Sequence, residues 1–256
     1  MQKAEYMALY ALENYHWWFK GLHELVEHYV QQLNHNNLHI LDAGCGTGAM
    51  SEILAKYGTV DSIDFSPDAI DFCKKRGLKK VVLQDLNDWQ GKDGYYDIIV
   101  SLDVLYHEGI IDDAEIIRRF YSSLKEGGIL IINLPAFESL RRGHDVVVKS
   151  ARRYTRKQVE DILRGSGFSI HIITYRLPML YILIISIKVL QFFIRTSLPK
   201  KSSTHPLPTM LNRLFLLMVR TENKMIMNNI RIPLGSSVFA IARKYENKNV
   251  KKLYYK

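Results

Sequence analysis

Between residues 38 and 134 the chain alternates short apolar runs with longer stretches in which apolar residues return every three or four positions. Runs of the first kind read as strands buried on both faces, and stretches of the second kind as helices lying over them. Together they predict a parallel sheet between helical layers, an α/β architecture. Strands are expected at residues 38–43, 59–64, 80–84, 96–102 and 128–134, with helices at 48–57, 67–76 and 111–125. Ser66 followed by Pro67 supplies a cap and a first-turn proline for the second of these helices. Thr155 and Gln158 have capping-box spacing and open a further helix, which Gly165-Ser166-Gly167 closes. Two more apolar runs, 168–176 and 236–244, read as strands.

The last two strands are separated by residues 177–235, far more than a hairpin connection needs. The segment inserted there opens with LPMLYILIISIKVLQFFIR (177–195), passes through the link LPKKSSTHPLP and continues at residues 209–229 with a second helical pattern. The expected organisation is a helical cap over 1–36, a core over 37–176 and 236–245, a helical insertion over 177–235 and a basic tail over 246–256.

Charge changes this picture more than composition does. Across the 256 residues, 47% are apolar and 24% charged, which excludes wholesale disorder and a polytopic membrane protein. The net charge of +9 is unevenly placed, since residues 1–140 hold 12 basic and 21 acidic side chains and residues 141–256 hold 23 and 5. So cationic a second half selects an anionic partner: lipid, a phosphate-bearing substrate or nucleic acid. Two cysteines, Cys45 and Cys73, support neither a disulfide framework nor a four-cysteine zinc site, and no metal-ligand set is expected. Acidic residues occupy the N-terminal stretch where a secretory leader would be apolar, so a cytoplasmic location is expected.

The segment LDAGCGTGAM places Gly44, Gly46 and Gly48 between a strand and a helix. Glycines there permit a tight turn and close approach of a ligand to helix N–H groups. Asp64 ends the next strand, where a carboxylate accepts hydrogen bonds from ribose hydroxyls. These features admit a nicotinamide dinucleotide, and with it an NAD(P)-dependent oxidoreductase, as well as another adenosine-bearing cofactor. Tyr121-x-x-x-Lys125 has the spacing of a short-chain dehydrogenase pair, but it closes the helix before the fifth strand, and Lys125-Glu126-Gly127-Gly128 reads as that helix's stop.

In LDAGCGTG (41–48), VDSIDFSPDAIDFCKKRG (60–77), LQDLND (83–88), YDIIVSLDVLYH (96–107) and LKEGGILIINLPAF (124–137), the sequence resembles the class I S-adenosylmethionine-dependent methyltransferases. The resemblance implies a doubly wound, Rossmann-like, seven-stranded sheet whose last strand is antiparallel, with S-adenosyl-L-methionine as cofactor. It implies that Asp42, Gly44, Cys45, Gly46 and Gly48 lie under the methionine part of the cofactor, and that Asp64 and Phe65 meet the ribose side. Asp85 and Leu86 would face the adenine, and Ser101 and Leu102 the methionine end.

HWWF (16–19) and GHDVVVKSARRYTRKQVEDIL (143–163) extend the resemblance to a narrower subgroup. This chain departs from that subgroup at Ser150, where a second histidine is common, and at Leu22, where an arginine is common. Methyl transfer to an oxygen needs a base, and imidazole titrates near neutrality. His107, after the fourth strand, and His144, beside Asp145, are therefore the candidate bases. Tyr154 is a candidate to close over the substrate. Arg152 and Arg153 are candidates to grip a phosphate or carboxylate, which a guanidinium binds as a fork. Trp17, Trp18 and Phe19 read as core or as a lid over the cofactor.

Residues 177–236 hold 8 basic and 1 acidic side chains on two largely apolar helices. Lys188, Gln191 and Arg195 fall on one side of the first, the pattern of a helix lying in a membrane interface rather than spanning it. An anionic membrane surface is thus the expected partner, with the protein peripheral on its inner face. The acceptor is expected to be a small or lipid-linked molecule, in the manner of a phosphate-bearing glycan or isoprenoid. Apolar side chains stand where an RNA-binding surface would carry polar and stacking groups, which disfavours an RNA methyltransferase. The sequence leaves the oligomeric state open.

Overall fold

The structure is a computed structural model, and it describes residues 3–33, 37–194 and 206–245. Arg195, most of the basic link and the tail expected at 246–256 lie outside the described residues.

Seven strands form one sheet in the order β3-β2-β1-β4-β5-β7-β6. They are β1 (Leu38–Ala43), β2 (Gly58–Asp64), β3 (Val81–Leu83), β4 (Tyr96–Leu102), β5 (Leu124–Pro135), β6 (Ser169–Arg176) and β7 (Ser237–Arg243). β1 pairs in parallel with β2 and β4, β2 with β3 and β4 with β5. β7 runs antiparallel between β5 and β6, as expected for the last strand. The carboxyl ends of the other six strands consequently share one edge.

Side-chain alternation divides the core between the two faces of the sheet. On one face Ile40, Ile98, Ile129 and Phe239 pack under α2 (Trp17–Gln31), α3 (Ala49–Leu54) and α9 (Thr209–Met227). On the other, Leu41, Ile99, Leu130 and Ala240 pack under α5 (Asp113–Ser123) and α7 (Arg156–Gly165). The Thr155–Gln158 capping box forms as the sequence predicts.

Local signals were overruled in three places. β5 begins at Leu124, so Lys125-Glu126-Gly127-Gly128 continues the strand through a register shift against Tyr96 and Ile98 rather than stopping the helix. α3 ends at Leu54, three residues short of expectation. At the start of α4 (Pro67–Lys75), Ser66 occupies the cap position without making a side-chain cap bond.

The inserted segment forms α8 (Pro178–Ile194) and α9. α9 packs along α2, where a Cβ on Gly21 would stand 2.3 Å from Val219 Cγ1. Asn223 donates to the Gly21 carbonyl at 2.7 Å, Arg220 pairs with Glu24 at 2.6 Å, and the Trp17 N–H donates to Asn212 at 2.9 Å. α8 is held differently. Ile184 is its one fully buried side chain among those described, and Lys188 donates to the carbonyls of Ser139 and Arg141, each at 2.7 Å. With its lysine turned onto the protein, α8 presents Ile182, Leu190, Phe193 and Ile194 outward.

Candidate active site

A cleft of about 880 Å³ lies over the shared carboxyl edge of the sheet. Its floor begins with the glycine turn after β1. Gly44 has φ +84°, and a Cβ there would stand 2.3 Å from Val104 Cγ2, so only glycine fits without displacing the loop after β4. The Asp64 carboxylate ties this turn to β2, accepting the Gly46 N–H through Oδ2 and the Ser66 N–H through Oδ1, both at 2.9 Å. Asp42 accepts a hydrogen bond from the Ser51 hydroxyl at 2.5 Å, and burial pushes its carboxyl up to about 7. Burial also raises Asp64, against the pull of the N–H groups it accepts.

Asp42, Gly44, Cys45, Gly46, Asp64, Phe65, Asp85, Leu86 and Leu102 all border the cleft. A turn that leaves room for a ligand and carboxylates at the ends of β1 and β2 fit S-adenosylmethionine, whose ribose hydroxyls donate and whose sulfonium is cationic. Gly48 and Ser101 do not border it. Gly48 faces backward, since a Cβ there would meet Leu78 Cδ1 at 2.7 Å, and Ser101 is buried with its hydroxyl unpartnered. The Cys45 and Cys73 thiols stand 3.6 Å apart, and their mutual hydrogen bond, reinforced by burial, raises the Cys45 thiol far above the range of a reactive thiolate.

The roof comes from α1 (Lys3–Leu12), α2 and the inserted helices. Glu13, just after α1, forms a buried ion pair with Arg76 at 2.5 Å and accepts from the Thr47 hydroxyl, pinning α1 over the glycine turn. His16 begins α2 by accepting the Trp18 N–H at 3.4 Å, and Trp17 meets Phe215 of α9 edge-on at 5.4 Å between ring centres. HWWF is thereby part of the cleft wall. His23, two turns after His16 on the same helix face, also borders the cleft. Burial, aided by Arg76 and Arg176, holds its imidazole down at about 4, so it is neutral at physiological pH.

The cleft wall is completed by His107, from the segment after β4, and by Arg142, His144, Asp145, Lys149 and Arg153, from the segment after β5. His107 stacks on Tyr106 at 4.3 Å. Burial lowers both His107 and His144, leaving each a proton acceptor near neutrality. Asp103, in the left-handed region at φ +56°, is held by Asn133 Nδ2 at 2.9 and 3.0 Å, and burial raises its carboxyl to about 7. Behind it, Arg176 is fully buried, with Glu222 at 3.8 Å and no hydrogen bond to its guanidinium.

Three expected roles meet other geometry. The Tyr154 hydroxyl is buried away from the cleft and donates to Leu105 O at 3.1 Å and to Asp113, which makes the tyrosine a structural tie. Arg152 donates to Ile110 O at 2.6 Å, pairs with Asp113 at 3.4 Å and opens on a separate surface depression. Arg153 reaches the cleft, but its guanidinium is engaged by Asp145 at 2.7 Å and by the Ala136 carbonyl at 2.8 Å. Arg142 and His23 were missed. For His23 the signal was legible, because His16, Phe19 and His23 repeat at helical spacing.

Residues 41–132 match the family model of a methyltransferase domain. Residues 41–132 are thus a methyltransferase domain, set in a sheet of the class I methyltransferase fold. The antiparallel β7 between β5 and β6 agrees, since the dinucleotide-binding sheet it could be confused with runs 3-2-1-4-5-6 in parallel. Tyr121 and Lys125 lie outside the cleft, packed on Phe168 and paired with Asp97 at 2.7 Å. Among similar proteins, a ubiquinone biosynthesis O-methyltransferase of Coxiella burnetii is 30% identical over 132 residues, 46% of this chain and 56% of that protein. One from Xanthomonas axonopodis pv. citri is 31% identical over 133 residues, 46% of this chain and 55% of that protein. The chain thus spans little more than half the length of these relatives. Among solved structures, geranyl diphosphate C-methyltransferase from Streptomyces coelicolor superposes with a TM-score of 0.54 at 14% identity, covering 85% of this chain and 79% of that one. Haemonchus contortus phosphoethanolamine N-methyltransferase 2 does so with a TM-score of 0.53 at 17% identity, covering 83% and 50%. The methyltransferase domain thus shares its fold with enzymes that methylate carbon, nitrogen and oxygen.

Proposed function

We propose that this chain transfers methyl from S-adenosylmethionine to an oxygen or nitrogen of a small or lipid-linked acceptor, at the inner surface of a membrane. One observation carries the reading. The cleft runs from the acidic end at Asp64 and Asp85 to Leu180, Leu183, Leu207 and Phe215 of the inserted segment, whose outer faces expose Ile182, Leu190, Phe193, Leu214 and Leu217. An acceptor with an apolar part has a continuous path from that surface to the methyl donor. Among the described residues no helix is long and apolar enough to cross a membrane, and the reading is of helices lying on it.

S-adenosylmethionine, when bound, supplies a methyl on sulfur whose bond breaks as the acceptor attacks in line. The protein's part is to align the acceptor, exclude water beneath α1 and α2, and take the acceptor proton. The neutral imidazoles of His144 and His107 border the cleft and are the proposed proton acceptors. The O-methyltransferase names of the relatives favour oxygen as the atom methylated.

The test is to incubate the protein with labelled methyl donor and, in parallel, a cell lipid extract and total cell RNA, then find which takes the label. Label in lipid that is lost with His144→Ala supports the reading; label only in RNA would replace it. Calorimetry with S-adenosylhomocysteine and with NADH is the companion measurement, and binding of the nicotinamide alone would defeat methyl transfer. Flotation with anionic and neutral liposomes examines the membrane part, which falls if the protein floats with neither.

A further inference from the structure

The cleft is lined by acids at the ends of β1, β2 and β3, Asp42, Asp64 and Asp85, and by three cations from the segment after β5, Arg142, Lys149 and Arg153, with His107 and His144 also in its wall. Two of those three cations are already matched, Arg153 by Asp145 at 2.7 Å and Lys149 by Glu108 at 3.1 Å. Arg142 is different. Its Nε is buried without a hydrogen-bond partner, and among the described residues no carboxylate stands within ion-pair distance of its guanidinium. Asp145, the acid that acts on it, has Oδ1 on Arg153 and Oδ2 on the backbone N–H of Arg142 itself.

Burial and the neighbouring Arg153 both disfavour the charge on Arg142. A partly buried cation without a counter-charge is costly unless an anion arrives to meet it. The guanidinium fork is shaped for two oxygens of one oxyanion. The cations that the sequence offered for this task are not available for it, since Arg152 lies outside the cleft and Arg153 is held from two sides.

We infer that Arg142 grips an oxyanion of the methyl acceptor, a phosphate or a carboxylate, inside the cleft. The inference rests on the methyl-transfer reading and narrows its substrate to an anionic acceptor. The oxyanion reaches Arg142 either on a soluble molecule or on a lipid headgroup, and the chemistry at the guanidinium is the same.

The experiment is calorimetry on the whole chain saturated with S-adenosylhomocysteine, titrated with inorganic phosphate, acetate or monomeric dihexanoyl phosphatidic acid. At least one of the three should bind, at least tenfold more weakly to Arg142→Met, with Arg142→Lys between the two because it keeps the charge and loses the fork, and Arg152→Met unchanged. Tighter binding of the short-chain lipid than of phosphate assigns the oxyanion to a lipid; the reverse assigns it to a soluble acceptor. Because the Arg142 guanidinium has no ion-pair partner among the described residues, Arg142→Met should melt no lower than the wild type, so a loss of binding is not a loss of fold. If none of the three binds while S-adenosylhomocysteine does, the inference fails and the methyl-transfer reading stands. If S-adenosylhomocysteine fails to bind, both fail. If Arg142→Met weakens S-adenosylhomocysteine and leaves anion binding intact, the guanidinium serves the donor's own carboxylate, and the inference is wrong.

Discussion

Arg153 Nε donates to Asp145 Oδ1 at 2.7 Å, with the two side chains only 8% and 3% exposed. Asp145 stands beside His144 in the sequence, where a carboxylate would be expected to fix the imidazole. Its oxygens instead serve Arg153 and the Arg142 backbone N–H, so the acid fixes the start of the short helix Gly143–Val147 that carries the histidine.

Breaking that pair leaves a buried carboxylate unmatched, and Arg153→Met should cost about 3–5 kcal/mol in urea unfolding. Adding Asp145→Asn should return part of the loss. A double variant no more stable than the single one would show that Asp145 is compensated from elsewhere.

Tyr154→Phe should leave S-adenosylhomocysteine affinity unchanged, because the hydroxyl lies outside the cleft. It should lower stability by about 1–2 kcal/mol through the lost bonds to Leu105 and Asp113. Paired calorimetry and thermal unfolding report both quantities.

Asp64→Asn should weaken S-adenosylhomocysteine by about 1.5–3 kcal/mol, the scale of hydrogen bonds to a charged group. Asp85, exposed and already accepting the Asn87 N–H at 2.8 Å, should matter less when changed to Asn. A larger loss at Asp85 than at Asp64 would reverse the order of the two.

Asp42 gives a pH signature. Its folded carboxyl lies at about 7 and its unfolded one near about 4, so the folded state holds the extra proton between those values and loses stability as pH rises through them. Asp42→Asn removes this penalty. Its stability relative to the wild type should climb by about 1 kcal/mol per pH unit across that window and level off above it. Denaturant melts at pH 4.5, 6 and 8, chosen to bracket the window, would show a flat difference if Asp42 is not raised.

Gly21→Ala should cost about 1–3 kcal/mol, since the added Cβ falls 2.3 Å from Val219 Cγ1. Val219→Ala in the same chain should recover part of it. No recovery would mean that the strain lies within α2 rather than between it and α9.

The parallel core was legible because its signals are local. Apolar runs marked β1 and β4 to the residue, and the Thr155 capping box placed the start of α7. The place of Asp64 was legible too, at the end of β2 beside the glycine turn. Arg152 and Tyr154 lie away from the cleft while Arg153 reaches it, because adjacent residues in an extended segment point to different sides and only packing decides which is turned inward. Arg142 gave no signal at all: what marks it is the absence of a partner, which exists only in three dimensions. The union of cap and insertion was hidden likewise, since Gly21 and Asn223 meet across 202 positions of chain.

That last contact sets a timetable. α2 is made early, and the helix against which it is shaped leaves the ribosome 202 residues later, about 10–40 s at ordinary rates of synthesis. Through that interval the groove of Gly21 and the faces of Trp17 and Leu22 have no mate, while the strands of the core are already emerging. The roof of the cleft is therefore completed late, followed only by insertion of β7 among the described elements, and a nascent chain stalled before α9 would carry its glycine turn under an open sky.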